Sequence, residues 1–229
     1  MIARVLSGLI LVLVSAMATV QPVMAKADKF DLEKKLRVGA LVYEELVRAG
    51  GAPSNLVASS ICIAVIPHLL KGAVGVGGRY GKGAMSCRRG ENDWSPPAFV
   101  KITGVSFGLQ IGGVSSDLVL FFPNESGVRA LTKGKITMGV DANVAAGPWG
   151  REAAAATNIT FKAAIYSYAK SEGLFVGVAL DGSRLAISQK AIKTFYGERL
   201  WPEDILFEHE VPEVTREAQM FMDALAGKD

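Results

Sequence analysis

Residues 72–83, GAVGVGGRYGKG, set Arg79 and Lys82 among six glycines, a composition that suggests a phosphate cradle. A P-loop requires GxxxxGK[ST]. Here Gly81-Lys82 has Val76 where the first glycine belongs and Gly83 where a hydroxyl must hold magnesium. The dinucleotide fingerprint GxGxxG begins at Gly75 and Gly77 but reaches Tyr80 in place of its last glycine. Neither run leads into a helical pattern whose N-terminus could receive a phosphate. A second chemical motif is Gly104-Val105-Ser106-Phe107-Gly108, a GxSxG match, with Asp181 or Asp204 and then His209 in hydrolase order. A nucleophile elbow needs a sharp strand-to-helix turn. The alternation here continues through Leu109 and Ile111, which makes a serine hydrolase at Ser106 the least favoured reading. Cys62, Cys87, His68 and His209 show no zinc spacing. No metal and no cofactor are therefore expected. Cys62 and Cys87 are either a disulfide or two buried thiols. Asp117 and Asp141 lie within apolar runs, where a carboxylate needs a partner; both are read as structural hydrogen-bond acceptors.

The glycines follow the period of a strand. Gly75, Gly77, Gly81 and Gly83 share one parity with Arg79, while Val74, Val76 and Tyr80 share the other. Gly104, Ser106, Gly108, Gln110 and Gly112 alternate in the same way with Val105, Phe107, Leu109 and Ile111. Successive strand side chains point to opposite faces, so each run has one bulky apolar face and one nearly bare face. Glycine inside strands marks bending or close backbone approach, as in strongly coiled sheets.

The elements that position these residues follow from periodicity. Residues 28–49 form an amphipathic helix with Leu32, Leu36, Leu41, Leu46 and Val47 as its apolar set, stopped by Gly50-Gly51 and Pro53. Ser54 caps a short helix to Ser60. A buried strand spans 61–67, and alternating runs follow at 73–88, 98–122, 135–147 and 173–188, with a bend near Gly112-Gly113. A helix lies at 124–133 between Asn124 and Gly134, and a strand at 160–169. Asp181-Gly182 reads as a hairpin turn. The C-terminal helix carries Val214, Ala218, Phe221, Met222 and Leu225 on one face. The expected fold class is α+β: mainly antiparallel glycine-rich strands in a compact barrel or sandwich, with helices at both ends.

The chain has 229 residues, half of them hydrophobic, and a formal net charge of +3. That suits one domain and gives no field, basic tail or motif that points to nucleic acid. Residues 1–25 have an early Arg4, an apolar run from Val5 to about Val20, and Val23-Met24-Ala25 at the end. This is the pattern of a signal peptide cleaved after Ala25; the alternative is a retained anchor. The expected organisation is a signal peptide at 1–25 and one domain at 26–229. Its core lies at about 30–197, with an extension at 198–229. The expected location is an exported one, in a periplasm and peripheral to the membrane.

Four blocks occur in order: CIAVIPHLLKGAVGVGGRYGKGAMSCR, WSPPAFVKITGVSFGLQIGGVSSDLVLFF, KITMGVDANVAAGPWGREAAAAT and YSYAKSEGLFVGVALDGSRLAISQKAIKTFYG. Together they resemble the SYLF domain, a lipid-binding family, over about residues 30–197. The resemblance implies a non-enzymatic protein that binds anionic membrane lipids, phosphoinositides in eukaryotic members, aided by an amphipathic N-terminal segment and basic residues. Carried onto this chain, those residues are Lys29, Lys34, Lys35 and Arg37 on the first helix, with Lys71 before the glycine run and Arg79 inside it. Lys82, Arg88 and Arg89 extend the patch. Yeast members bind actin. An exported chain argues against actin and phosphoinositides and for anionic envelope phospholipids, with an envelope protein partner as the alternative.

Overall fold

The computed structural model describes residues 28–148, 161–171, 173–208, 211 and 213–228. The proposed leader at 1–25 and His209 lie outside the described residues.

The first helix, α1, covers 28–48 and buries Leu32, Leu36, Ala40, Tyr43 and Leu46. Leu41 and Val47, expected on the buried face, are exposed. The reason is angular: at 100° per residue Leu41 stands half a turn away from Leu32, and Ala40 and Tyr43 complete the stripe instead. At Gly39 the helix comes close enough for an added Cβ to meet the Phe221 ring at 3.3 Å and Val65 at 3.7 Å. The apolar face of α1 is thus occupied by the protein's own core. Gly50 ends the helix with φ +61°, and the Gly51 N–H donates to the Leu46 carbonyl. The next helix, α2 (Ser54–Ser59), has Pro53 as its N-cap residue. Ser54 is therefore inside the first turn, not the cap.

One sheet of seven strands forms the rest of the body. Its strands are β1 (Cys62–Cys87), β2 (Ala98–Phe122), β3 (Lys135–Thr137), β4 (Val144–Ala146), β5 (Ile165–Ser171), β6 (Leu174–Gly177) and β7 (Arg184–Ile187). The order is β3-β7-β2-β5-β4, with β1 on β2 and β6 on β5. Every pairing is antiparallel except β4 with β5. The α+β, mainly antiparallel architecture is the one expected. The strands at 61–67 and 73–88 are one strand, interrupted by a register shift between Ile66 and Leu69, where His68 takes φ +54°. Asp181-Gly182 does make a turn, with Gly182 at φ +72°. It does not make a hairpin, because β6 pairs with β5 while β7 pairs with β2 and β3.

Among the described residues the remaining α-helices are α3 (Glu125–Thr132), α4 (Gln189–Tyr196) and α5 (Arg216–Ala226), and Asp204–Glu208 form a π-helical turn. The sequence reading did not identify α4. Its signals are Ser188, whose hydroxyl accepts from the Ala191 N–H, and Gly197, left-handed at the C-cap. Helix α5 buries Ala218, Phe221 and Leu225 of the expected face, and Val214 and Met222 pack partly buried against the core.

The long strands β1 and β2 pair along almost their whole length as a two-stranded ribbon. A 26-residue strand extends roughly 80 Å, yet the Cα atoms of Cys62 and Cys87 are 3.9 Å apart. The ribbon therefore bows outward and returns. Where its two limbs meet, glycine is required by contact. A Cβ on Gly81 would sit 2.6 Å from Ile66 Cγ2 and 3.0 Å from Leu69 Cδ1, and one on Gly83 would overlap the Val65 carbonyl. The bare faces read in the sequence are thus, at Gly81 and Gly83, surfaces of close approach between limbs.

Candidate functional site

The ribbon divides into a body and an arch. In the body, β2 has a second partner: β7 at residues 100–103 and β5 at residues 118–121. Between them, among the described residues, β2 pairs with β1 alone. The arch has β1 residues 70–79 on one side and β2 residues 104–115 on the other, with a register shift between Ala73/Gly112 and Gly75/Gly108. That shift adjoins Gly112-Gly113, where the sequence predicts a bend. An added Cβ on Gly72 would meet nothing within 4 Å, and one on Gly78 only the Gly104 carbonyl at 3.8 Å.

Charge follows the same division. The ribbon residues 69–86 and 98–116 include Lys71, Arg79, Lys82 and Lys101 and no carboxylate. Lys82 and Lys101 are direct cross-strand partners, and both are exposed. Like charges in that relation destabilise a sheet. Lys71 and Arg79 are half-buried and close enough to interact. Burial, and then the Arg79 charge, push the Lys71 ammonium below its ordinary value. Burial likewise lowers Arg79, with the Asp181 carboxylate acting in the opposite direction. The Arg79 guanidinium also donates to the Ala179 carbonyl at 3.5 Å. Lys82 shares a surface cavity of about 100 Å³ with Asp28, Asp31 and Lys190.

The other predicted cations sit elsewhere. On α1, Lys34 and Arg37 are exposed, Lys35 pairs with Asp31 at 3.7 Å, and Lys29 stands 5.7 Å over the Phe195 ring. The helix carries Asp28, Asp31, Glu33, Glu44 and Glu45 against Lys29, Lys34, Lys35, Arg37 and Arg48, so it has no net charge. Arg88 and Arg89 follow the closed end of the ribbon and hold structure together. Arg88 stacks 4.6 Å over Trp94 and donates to the Glu91 carbonyl at 2.7 Å; Arg89 donates to the Ile205 carbonyl at 2.8 Å. The structure thus brings Lys71 and Arg79 together, adds Lys101, which the sequence reading missed, and leaves Arg88 and Arg89 apart. The sign of Lys101 was its place as a lone charge inside an apolar alternating run.

Among the described residues, which leave out His209, the alternative chemistries find no supporting geometry. Ser106 lies mid-strand, with its backbone opposite Gly77, and no helix follows. Residues 72–83 are strand throughout. Among the described residues no group of three or more His, Cys, Asp or Glu could hold a metal. Asp117 accepts from the His68 N–H at 3.0 Å and Asp141 from the Thr137 N–H at 2.6 Å, both at turns or bulges. Cys62 and Cys87 are joined as a disulfide, which ties the two limbs of the ribbon.

A family model described as Ysc84, "Las17-binding protein actin regulator", matches residues 103–228. SH3 domain-containing YSC84-like protein 1 of Xenopus laevis is 37% identical over 147 residues, covering 64% of this chain and 44% of that protein. Protein YSC84 of Saccharomyces cerevisiae is 35% identical over 155 residues, 61% of this chain and 33% of that protein. LAS seventeen-binding protein 3, also of Saccharomyces cerevisiae, is 34% identical over 141 residues, 60% and 31%. The chain spans less than half the length of each of these relatives. All are eukaryotic, and their names describe binding or regulatory proteins. The argument against actin as a partner is corrected by these names: it ran from leader to compartment to ligand, whereas the similar proteins are described by Las17 binding and actin regulation.

Proposed function

We propose, from the premise that this chain belongs to the Ysc84, or SYLF, family, that it is a binding protein without catalytic activity whose ligand is the anionic headgroup surface of a phospholipid membrane. The observation that carries this reading is the stretch of ribbon at 69–86 and 98–116, which holds Lys71, Arg79, Lys82 and Lys101 and no carboxylate; the carboxylate further along β2, Asp117, accepts from the His68 N–H. Each cation near an anionic surface contributes about 1 kcal/mol, falling off within a Debye length. Exported placement is part of the proposal. Its supports are the composition of residues 1–25 and the Cys62–Cys87 disulfide, since disulfides persist in oxidising compartments. There the ligands are phosphatidylglycerol or cardiolipin. The test is co-sedimentation of residues 26–229 with neutral vesicles and with vesicles containing those lipids, at low and high salt. Salt-sensitive pelleting with the anionic vesicles alone is expected; equal pelleting with both, or none, would contradict the reading.

The names of the relatives favour a second reading, an actin-pathway protein as partner. Co-sedimentation with actin filaments in the absence of lipid tests it, and a protein left wholly in the supernatant would remove it. Mass measurement of the N-terminus after expression tests cleavage after Ala25 and so the compartment.

A further inference from the structure

The arch exposes apolar side chains beside its cations. Leu70 is 57% exposed, Val105 57% and Val114 58%, and Tyr80, just beyond the arch, 46%. Leu70 pairs with Ser115 and Lys71 with Val114, so Leu70 and Val114 stand on opposite faces of the two strands. The limb at Leu70 and Val114, exposed on both faces, is therefore not lying on the body, whereas the limb at Arg79 and Gly104 meets Ala179 and Ser183. The cost of leaving such groups in water is removed when they enter an apolar phase. The adjacent cations select a partner that is both anionic and apolar a few ångströms deeper, and a bilayer interface has that layering.

We propose that the β1–β2 arch inserts into the membrane interface, with Leu70, Tyr80, Val105 and Val114 entering the headgroup–acyl boundary while Lys71 and Arg79 engage lipid phosphates. The inference rests on the lipid reading above and deepens it by naming the element that enters. It also assigns α1 a structural role, because the apolar face that would otherwise insert is buried against Val65 and Phe221.

Two variants of the full chain, Val114→Trp and Leu41→Trp, test the proposal with vesicles of phosphatidylglycerol and phosphatidylcholine carrying brominated acyl chains. Leu41 is the matched control, 57% exposed on α1 against 58% for Val114. The fluorescence added by Val114→Trp should shift to the blue and be quenched by the bromines, and that added by Leu41→Trp should do neither. Quenching at Leu41→Trp alone would overturn the proposal in favour of the helix. Binding with quenching at neither would overturn insertion and leave the lipid reading standing, as charge contact only. No binding of the unaltered chain would remove the lipid reading, and the arch with it. A third variant, Leu70→Ser with Val114→Ser, should lose at least tenfold in vesicle affinity with its circular dichroism unchanged. Unchanged vesicle affinity with lost actin co-sedimentation would overturn the proposal and make the arch a protein-docking surface.

Discussion

Helix α1 and the β1–β2 arch are both amphipathic and both basic in part, and they use those properties in opposite ways. The helix turns its apolar stripe inward, where Leu36 and Leu46 are fully buried, and balances its lysines with carboxylates on the same helix. The arch leaves Leu70, Val105 and Val114 outside and has Lys71 and Arg79 with no carboxylate of its own. The difference shows that amphipathicity alone does not identify a membrane-binding element. What decides is whether the apolar face already has a partner, and whether the charge is already neutralised.

The largest expected effect would break the helix side of this comparison. Leu46→Ala should cost about 2–5 kcal/mol of stability, as deletion of a fully buried leucine does. Urea denaturation measures it, while vesicle affinity of the folded protein stays unchanged. A loss within about 0.5 kcal/mol would mean the face is not packed as described. Next, opening the Cys62–Cys87 loop, with a sequence separation of 25, should cost about 3 kcal/mol. Thermal melts with and without reductant read that loss, and an unchanged midpoint would separate the ribbon limbs from global stability.

A pH titration sharpens the same point. Burial on the inner face of α1 pushes the Tyr43 phenol up to about 12. A raised folded value means the neutral phenol is favoured in the fold. Its contribution is complete below pH 10, the unfolded value, and is lost as pH climbs from 10 towards 12. Tyr43→Phe should flatten that part of the stability profile; an identical profile would place the phenol in water. The smallest effect belongs to Leu41→Ser, on the outer face of α1. Stability and vesicle affinity should both stay within about 0.5 kcal/mol, and a clear loss of binding would return the helix to the interface.

Much of this organisation was legible in the sequence. The alternation of glycine with valine, phenylalanine and isoleucine identified the strands, and the Asn124 and Gly134 boundaries framed α3. What periodicity could not show is long-range closure. No local pattern says that Cys62 and Cys87 meet, or that Gly83 faces the Val65 carbonyl. The hairpin at Asp181-Gly182 failed for a related reason: a turn signal fixes the turn and not which strands pair across it. Leu41 entered the buried set because it is apolar, although its angle from Leu32 places it opposite. At the candidate site, Lys71 and Arg79 were found as residue types, but their nearness depends on the ribbon's bow. Arg88 looks the same in sequence as any other surface arginine, and only Trp94 beneath it shows its structural role.

The most direct measurement compares two double variants in salt-dependent co-sedimentation with phosphatidylglycerol vesicles: Lys71→Gln with Lys101→Gln on the ribbon, and Lys34→Gln with Arg37→Gln on α1. Both remove two cations. The account predicts that the ribbon variant loses about 2 kcal/mol of binding, roughly thirtyfold, with a shallower salt dependence, while the helix variant binds as the unaltered protein does. The reverse pattern, or equal losses in both, would contradict the claim that the ribbon is the lipid-facing surface.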